Sequence, residues 1–216
     1  MKACLTAAGL LVAAGVAMAE YPDKPITMVV PFAAGGPTDK VARDLGEVLR
    51  KHLNNQSIII ENVGGAGGTL GAAKVAKATP DGYTVLLHHI GMATAPALYR
   101  KLPYDTLGDF EYVGMVNEVP MTLIGKPQMP ANTYRDFENY IRANAGKLNI
   151  AHAGLGSASH LCSLMWQSAV NAKEAMTTIP YGGTAPAMNA TNRYIGGIQR
   201  PPSRISTPSH CMLCVS

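Results

Sequence analysis

The sequence predicts an α/β protein built on a parallel sheet. Three times along its 216 residues, a short apolar run is followed by a glycine-rich turn and then by an amphipathic stretch. Continuous apolar runs are typical of strands that are covered on both faces, and strands that alternate with helices form parallel sheets. The length suits one large domain or two small ones with an ample core.

The first unit begins with an apolar strand at residues 26–30, which the glycine- and proline-rich turn 31–37 ends. A helix is expected from about Thr38, because Thr38 is a suitable N-cap and Asp39 suits the positive end of the helix dipole. Helical spacing places a largely apolar stripe on one face of this helix, formed by Val41, Leu45, Val48, Leu49 and His52.

The second and third units repeat the plan. In the second, strand 57–60 leads through the glycine run 64–68 into a helix over 69–78, and a further strand is expected at 83–87. In the third, strand 148–151 leads through the turn 154–157 into a helix over 158–170. Ligands of parallel sheets bind at the carboxyl ends of the strands, where such turns lead into helices.

The charge distribution favours a small anion as ligand and excludes nucleic acid. Formal charge is +4, but four of the 18 Lys and Arg residues are Lys2, Arg193, Arg200 and Arg204, so 14 cations face 14 acidic residues elsewhere. No basic stripe is present, and aromatic residues make up only 6%. Helix N-termini with glycine turns offer unpaired N–H groups and a partial positive charge, which suit an anion.

The sequence contains none of the common nucleotide-binding or catalytic motifs. The dinucleotide fingerprint fails because its third glycine falls at Gly71 rather than at position 70, and the phosphate-binding loop and the serine nucleophile elbow are absent. Ser157 and His160 lie three residues apart at a helix start, so they are read as a catalytic pair, as ligand contacts or as a simple cap. We predict no enzyme activity and no cofactor.

Metal and redox sites are also not expected. His88 and His89 are adjacent on a predicted strand, so their side chains should point to opposite faces and cannot share one ion. Cys211 and Cys214 form an isolated CxxC pair without further ligands at metal spacing.

The first nineteen residues have the pattern of a signal peptide. Lys2 supplies the positive start, residues 5–16 form an apolar run, and residues 17–19 place small side chains before a cleavage site at Ala19–Glu20. The alternative is a buried N-terminal helix. We therefore expect the chain to be exported, most simply to a bacterial periplasm.

A set of short segments in fixed order spans about residues 20–190. They are 21–26 (YPDKPI), 30–39 (VPFAAGGPTD), 61–62 (EN), 80–84 (PDGYT), 98–105 (LYRKLPYD), 109–110 (DF), 156–160 (GSASH) and 180–187 (PYGGTAPA). In this order and spacing they closely resemble the substrate-binding receptors of tripartite tricarboxylate transporters, also called the Bug family.

The resemblance implies a two-lobed, flytrap-type periplasmic binding fold (type II) with mixed sheets, no cofactor and no turnover. It implies a small carboxylate as ligand, such as a di- or tricarboxylate or an aromatic acid, which is passed to membrane permease subunits. A receptor that feeds a sensor kinase and an exported serine hydrolase using Ser157 and His160 are the alternatives. Carried over by position, the ligand-binding residues are Phe32, Ala33, Ala34, Gly35, Gly36, Asp39, His89, Thr94, Gly156, Ser157, His160 and Tyr181.

These residues have different expected roles. The loop 32–36 should hold one carboxylate through main-chain N–H groups, and the loop 156–160 should hold the opposite end of the ligand. Residues 89–94 should line the cleft, Tyr181 should lie near its wall, and Asp39 should brace the first loop. The expected division is a signal peptide at 1–19, a first lobe at 20–120, part of a second lobe at 121–190 and an aberrant tail at 191–216.

The resemblance ends after about residue 190. Family members are considerably longer, whereas residues 191–216 are rich in Pro, Ser and Arg and contain no acidic residue. We expect a truncated or frameshifted receptor, incomplete at its C-terminus, with an exposed apolar sheet edge. A single copy is the expected state.

Overall fold

The computed structural model describes residues 20–118, 120–126, 129–144, 146–172, 176–193 and 211–215. Two lobes are present, each with its own sheet. Strands alternate with helices in both, so the predicted α/β class is confirmed. The predicted signal peptide lies outside the described residues. Within the described part, no helix has the length and apolarity needed to cross a membrane.

The first lobe is a three-stranded parallel sheet in the order β2-β1-β3. Ile26 lies opposite Ile58 on one side of the central strand, and Thr27 lies opposite Thr84 on the other. Its elements are β1 (Ile26–Val30), α1 (Pro37–His52), β2 (Ile58–Asn62), a 3-10 turn (Ala66–Gly68), α2 (Thr69–Ala76), β3 (Thr84–Leu86) and α3 (Gly91–Leu98).

The start of α1 differs from the prediction by two residues. Gly36 is the N-cap and Pro37 occupies the first turn, where its missing N–H costs nothing and its fixed φ suits a helix. The residues buried along this helix are Asp39, Ala42 and Gly46, while Val48 and His52 are exposed. The predicted apolar stripe was therefore only partly right, because the helix turns its small residues toward the sheet.

The second lobe is a four-stranded mixed sheet in the order β4-β7-β5-β6. Strand β5 pairs in parallel with β6 and β7, and β4 runs antiparallel to β7. Its elements are β4 (Thr122–Ile124), α4 (Tyr134–Ala143), β5 (Leu148–His152), α5 (Ala158–Ala169), β6 (Met176–Pro180), α6 (Thr184–Arg193) and β7 (Cys211–Val215).

Each lobe has its own core, and Ala153 of the second lobe packs against that of the first. Met28, Val30 and Phe32 form the centre of the first, against the inner face of α1. Ile141, Leu148 and Ile150 form the centre of the second, against α4. That helix starts with a capping box, in which Thr133 and Asp136 satisfy each other's main-chain N–H groups.

Two parts of the predicted tail belong to regular elements. Helix α6 extends to Arg193, and β7 is inserted between β4 and β5. The division at residue 120 falls in a stretch without helix or strand, and the domain limits stay a prediction. An exposed apolar stretch is present in the same region, where Tyr112, Val113 and Met115 are 62%, 97% and 80% exposed.

Candidate functional site

The loop after β1 uses two of its main-chain N–H groups inside the protein. The N–H of Ala33 donates to the carbonyl oxygen of Gly182 in the second lobe, at 3.0 Å. The N–H of Gly35 donates to Oδ2 of Asp39, also at 3.0 Å. Phe32 is buried, while Ala34 is exposed. In this arrangement, two of the donors expected to hold a carboxylate already have protein acceptors.

Asp39 holds the first loop in shape. Its carboxylate is buried and accepts two hydrogen bonds from Arg43, from Nε and Nη2, both at 3.0 Å, beside the bond from Gly35. Burial raises the pKa of Asp39, but the hydrogen bonds from Arg43, Gly35 and Asn62 and the Arg43 charge outweigh it, so the pKa lies below its usual value. These contacts are those of a bracing residue; contact with a ligand stays a prediction.

His88 and His89 lie in the loop after β3. The ring of His89 stacks on Phe32 with centroids 4.4 Å apart, and the ring of His88 meets the edge of Phe32 at 5.7 Å. The expectation that the two rings point to opposite faces was wrong, because the strand ends at Leu86 and strand alternation no longer applies. No cluster of three or more potential metal ligands occurs among the described residues.

A glycine turn from the first lobe touches the second. Gly67 and Gly68 both have positive φ, at 63° and 100°. A Cβ at Gly67 would lie 1.9 Å from the carbonyl oxygen of Leu155, and a Cβ at Gly68 would lie 2.8 Å from Nε2 of His88. Only glycine therefore allows this close approach of the two lobes.

Thr94 in helix α3 and Tyr99, the residue after this helix, donate hydrogen bonds to the loop after β5 in the second lobe. Thr94 Oγ1 donates to the carbonyl of Gly156 at 3.0 Å, and the Tyr99 hydroxyl donates to the carbonyl of Leu155 at 2.9 Å. Thr94 was expected to line the cleft. Tyr99 was missed, although it belongs to the segment 98–105 that carried the resemblance, because a tyrosine just after a helix has no local signal of its partner.

The loop after β5 is closed by its own side chains. Ser157 is fully buried and caps α5, its Oγ accepting the main-chain N–H of His160 at 3.3 Å. The His160 ring accepts the N–H of Gly156 through Nδ1 at 3.2 Å. Among the described contacts, the Ser157 hydroxyl meets Ser159 Oγ rather than the imidazole. Among the described residues, no hydrogen bond joins the Ser157 hydroxyl to the His160 ring.

Four histidines at the junction of the lobes are neutral at physiological pH. Burial and the neighbouring His89 lower the pKa of His88 to about 3, and burial lowers that of His89 to about 4. Burial, then the neighbouring His160, lower the pKa of His152 to about 4, and burial lowers that of His160. The ring centroids of His152 and His160 lie 4.5 Å apart.

Tyr181 begins the loop after β6 that faces the first lobe. Its main-chain N–H donates to the carbonyl of His152 at 2.8 Å, and its side chain packs with Ala151 and Ala187. The next residue, Gly182, provides the carbonyl that Ala33 contacts. Tyr181 thus lies beside the junction, as the resemblance implied, and its contact with a ligand stays a prediction.

The two lobes are in direct contact at the junction, through the hydrogen bonds Ala33–Gly182 and Thr94–Gly156. A cavity of about 370 Å³ lies elsewhere, between α1 and β2, with Arg43, Glu47, Arg50 and Ile58 in its wall. At the junction, the side chains named above are hydroxyls and neutral imidazoles, and the one carboxylate, Asp39, is paired with Arg43. Such a surface is suited to binding a small polar ligand.

Two α/β lobes whose loops meet at the carboxyl ends of their strands are typical of two-lobed solute-binding proteins. Comparisons with known proteins agree with this class. Residues 41–195 match the family described as "Tripartite tricarboxylate transporter family receptor". The chain belongs to this family.

Three similar proteins illustrate the match. The "UPF0065 protein in the TAR-I ttuE-ttuC' intergenic region" of Agrobacterium vitis is 47% identical over 168 residues, which are 78% of this chain and 48% of the relative. The periplasmic binding protein BugD superposes with a TM-score of 0.75 at 50% identity, covering 79% of this chain and 56% of BugD. MatC from Rhodopseudomonas palustris, solved with bound malate, superposes with a TM-score of 0.72 at 41% identity, covering 79% of this chain and 57% of MatC. The chain thus spans about half the length of the curated relatives it matches.

Proposed function

We propose that this chain is a periplasmic receptor that captures a small carboxylate between its two lobes. The observation that carries the proposal is the meeting of the loops after β1, β3, β5 and β6 at one neutral junction. An anion placed there would lie near the N-termini of α1 and α5, whose partial positive charge favours it.

A dicarboxylate is the first candidate ligand. MatC, a relative at 41% identity, was solved with malate, which carries two carboxylates. The two lobes present loops from opposite sides, so each end of such a ligand would meet a different lobe. A ligand in this position would compete with the Gly182 carbonyl for the N–H of Ala33. Entry therefore requires the lobes to separate.

The receptor would pass its ligand to the membrane permease subunits of a tripartite transporter. It would act as a single copy, after cleavage of the signal peptide behind Ala19. Family membership supports the partner, because the family is named for the transporter, and BugD, at 50% identity, is named as a periplasmic binding protein.

Two neighbouring glycines test whether closure of the junction is needed for binding. A Cβ at Gly183 would lie 2.8 Å from the Ala33 nitrogen, whereas a Cβ at Gly182 meets nothing within 4 Å. Gly183→Ala should therefore push the two loops apart, and Gly182→Ala is its matched control. The full chain and both variants are titrated calorimetrically with malate, succinate, adipate, citrate and benzoate.

We expect the unchanged chain and Gly182→Ala to bind one of these carboxylates equally well, and Gly183→Ala to bind it at least ten times more weakly. Ligand at one hundred times its Kd should also raise the stability by about 2.7 kcal/mol. Absence of binding for the whole panel, or equal binding by Gly183→Ala, would contradict the proposal.

A further inference from the structure

The hydrogen bond that Ala33 makes to the second lobe is held from both ends of one peptide group. The Ala33 N–H belongs to the same planar peptide as the carbonyl of Phe32. The N–H donates to the Gly182 carbonyl at 3.0 Å, and the Phe32 carbonyl accepts from Nδ2 of Asn62, also at 3.0 Å. Because the peptide is rigid, the bond from Asn62 also fixes the direction in which the Ala33 N–H points.

The first sheet places Asn62 for this contact. Asn62 is the last residue of β2 and lies opposite Val30, the last residue of β1 and two residues before Phe32. The N–H of Val63 donates to the Val30 carbonyl at 2.9 Å, so the pairing of the two strands continues one residue further. The Asn62 side chain is therefore held beside the start of the loop after β1.

The orientation of the Asn62 amide follows from its partners. Besides the Phe32 carbonyl, the Asp39 carboxylate accepts a hydrogen bond from Asn62. Both partners are acceptors, so the amide must turn its NH2 group, which has two N–H donors, toward them. Asp39 is in turn held by Arg43 and by the N–H of Gly35. The amide is thus fixed on two sides, and it fixes the Phe32 carbonyl.

The same strand end leaves room for the acceptor in the second lobe. A Cβ at Gly64 would lie 2.7 Å from the Gly182 oxygen and 3.2 Å from the Ala33 nitrogen. Gly64 is not among the glycines with positive φ, so here the missing side chain matters for space. The end of β2 therefore supplies both the donor that orients the Ala33 peptide and the space that the Gly182 carbonyl occupies.

We propose that Asn62 is a positioning residue for lobe closure, which aims the Ala33 N–H at the second lobe and so sets how readily the lobes close. The importance of closure for ligand capture rests on the proposed function, whereas the contacts of Asn62 do not. Among the described hydrogen bonds, those of Asn62 stay within the first lobe. Asn62 therefore acts through the Ala33 peptide.

Hydrogen exchange of single main-chain amides, followed by NMR in the full chain, measures this role. The exchange rate of the Ala33 N–H reports how often its bond to Gly182 opens. The N–H of Val63, which is bonded to Val30 in the same lobe, reports any loosening of the first sheet as a whole. The ratio of the two rates therefore separates an effect on the inter-lobe bond from a general loss of stability.

Two variants remove the donor, and one serves as a control. Asn62→Ala removes the amide, and Asn62→Leu removes it while keeping the size of the side chain. Asn144→Ala is the matched control, because Asn144 Nδ2 donates to the Tyr140 carbonyl at 2.9 Å, at the end of α4 in the second lobe. It breaks a bond of the same kind that has no part in the contact between the lobes.

We expect both Asn62 variants to speed up the exchange of Ala33 relative to Val63 about tenfold, the effect of one lost hydrogen bond. Asn144→Ala should leave this ratio unchanged. In the calorimetric titrations with the carboxylate panel, Asn62→Ala should bind several times more weakly than the unchanged chain. Adding Asn62→Ala to Gly183→Ala should weaken binding no further, because the inter-lobe bond is then already broken.

Two results would overturn the inference. One is an equal change in the exchange of Ala33 and Val63 in both Asn62 variants, since Asn62 would then only stabilise the sheet. The other is full additivity of Asn62→Ala and Gly183→Ala in binding, since the two would then act on separate contacts. If the unchanged chain binds no carboxylate of the panel, the proposed function fails, whereas the exchange of Ala33 still decides whether Asn62 positions this bond.

Discussion

Acidification from pH 7 to pH 5 should strongly destabilise this protein. In the unfolded chain a histidine titrates near pH 6.5, whereas in the folded chain the pKa is about 3 for His88 and about 4 for His89 and His152. Between these values the unfolded state binds more protons, so stability falls as the pH falls through this window. The Asp39 carboxyl, whose folded pKa lies below its usual value, stays ionised throughout and adds nothing there.

The size of the effect follows from these pKa values. For one histidine that shifts from 6.5 to about 4, the linkage relation gives a loss of about 2 kcal/mol between pH 7 and pH 5. With three such residues, the free energy of unfolding would fall by about 6 kcal/mol if they titrated independently. The fall is somewhat smaller because His88 and His89 are in contact. A loss of this size is comparable with the whole stability of an ordinary domain.

Urea unfolding of the full chain, followed by circular dichroism at pH 7 and pH 5, measures this loss. We expect the midpoint to fall by about 2–3 M for an m-value of about 2 kcal/mol per M. His152→Asn keeps an acceptor for the N–H of Gly154 but does not titrate, so it should remove about one third of the pH dependence.

Two results would refute this reasoning. One is a urea midpoint that is the same at both pH values, since the histidines would then not be held neutral by burial. The other is a pH dependence that His152→Asn leaves unchanged, since this buried imidazole would then not contribute to it.

Four further predictions concern single contacts. Asp39→Asn should lower the free energy of unfolding by about 1–2 kcal/mol in a urea titration, because it weakens bonds to a half-exposed Arg43 and to the first loop; an unchanged midpoint would contradict the bracing role. Gly67→Ala should cost at least about 2 kcal/mol through overpacking and positive φ, whereas Gly114→Ala, with nothing within 4 Å, should be nearly neutral in the same assay. Tyr99→Phe should lower the melting temperature by about 2–4 °C, the effect of one lost hydrogen bond, and no shift would mean that its contact with the second lobe adds no stability. Val113→Ser should leave the melting temperature unchanged and reduce aggregation in light scattering, because this side chain is 97% exposed; a large loss of stability would show that it is buried.

Several regular elements with strong local patterns were predicted from the sequence, but α4, which starts with a capping box, was missed. The strand at 26–30 was predicted with its observed limits, and those at 57–60 and 148–151 were placed within two residues of theirs. Helix α3 was missed because it contains Pro96 and has little amphipathic character. Strand β7 was missed because its neighbours in the sheet, β4 and β5, lie far away along the chain.

The predicted site residues stay a prediction as ligand contacts, and their contacts within the protein were not predicted. Ser157, His160 and His89 lie at the junction of the lobes, where the resemblance implied a cleft. The sequence could not show that the serine is a buried cap, or that both rings accept main-chain N–H groups, because these bonds depend on the course of the loops. For the same reason it could not show that the Ala33 N–H faces the Gly182 carbonyl.

What the sequence by itself determined is local: apolar runs that form strands, glycine turns that end them, and helices that start at those turns, because each depends on neighbouring residues only. What only the tertiary structure decided is which loops meet and what each polar group donates to. Two examples are the close approach of Gly67 to Leu155 and the hydrogen bond from Thr94 to Gly156. In both, the two residues are 62 or more positions apart in the chain. Such contacts arise when two lobes pack together, and no local pattern encodes them.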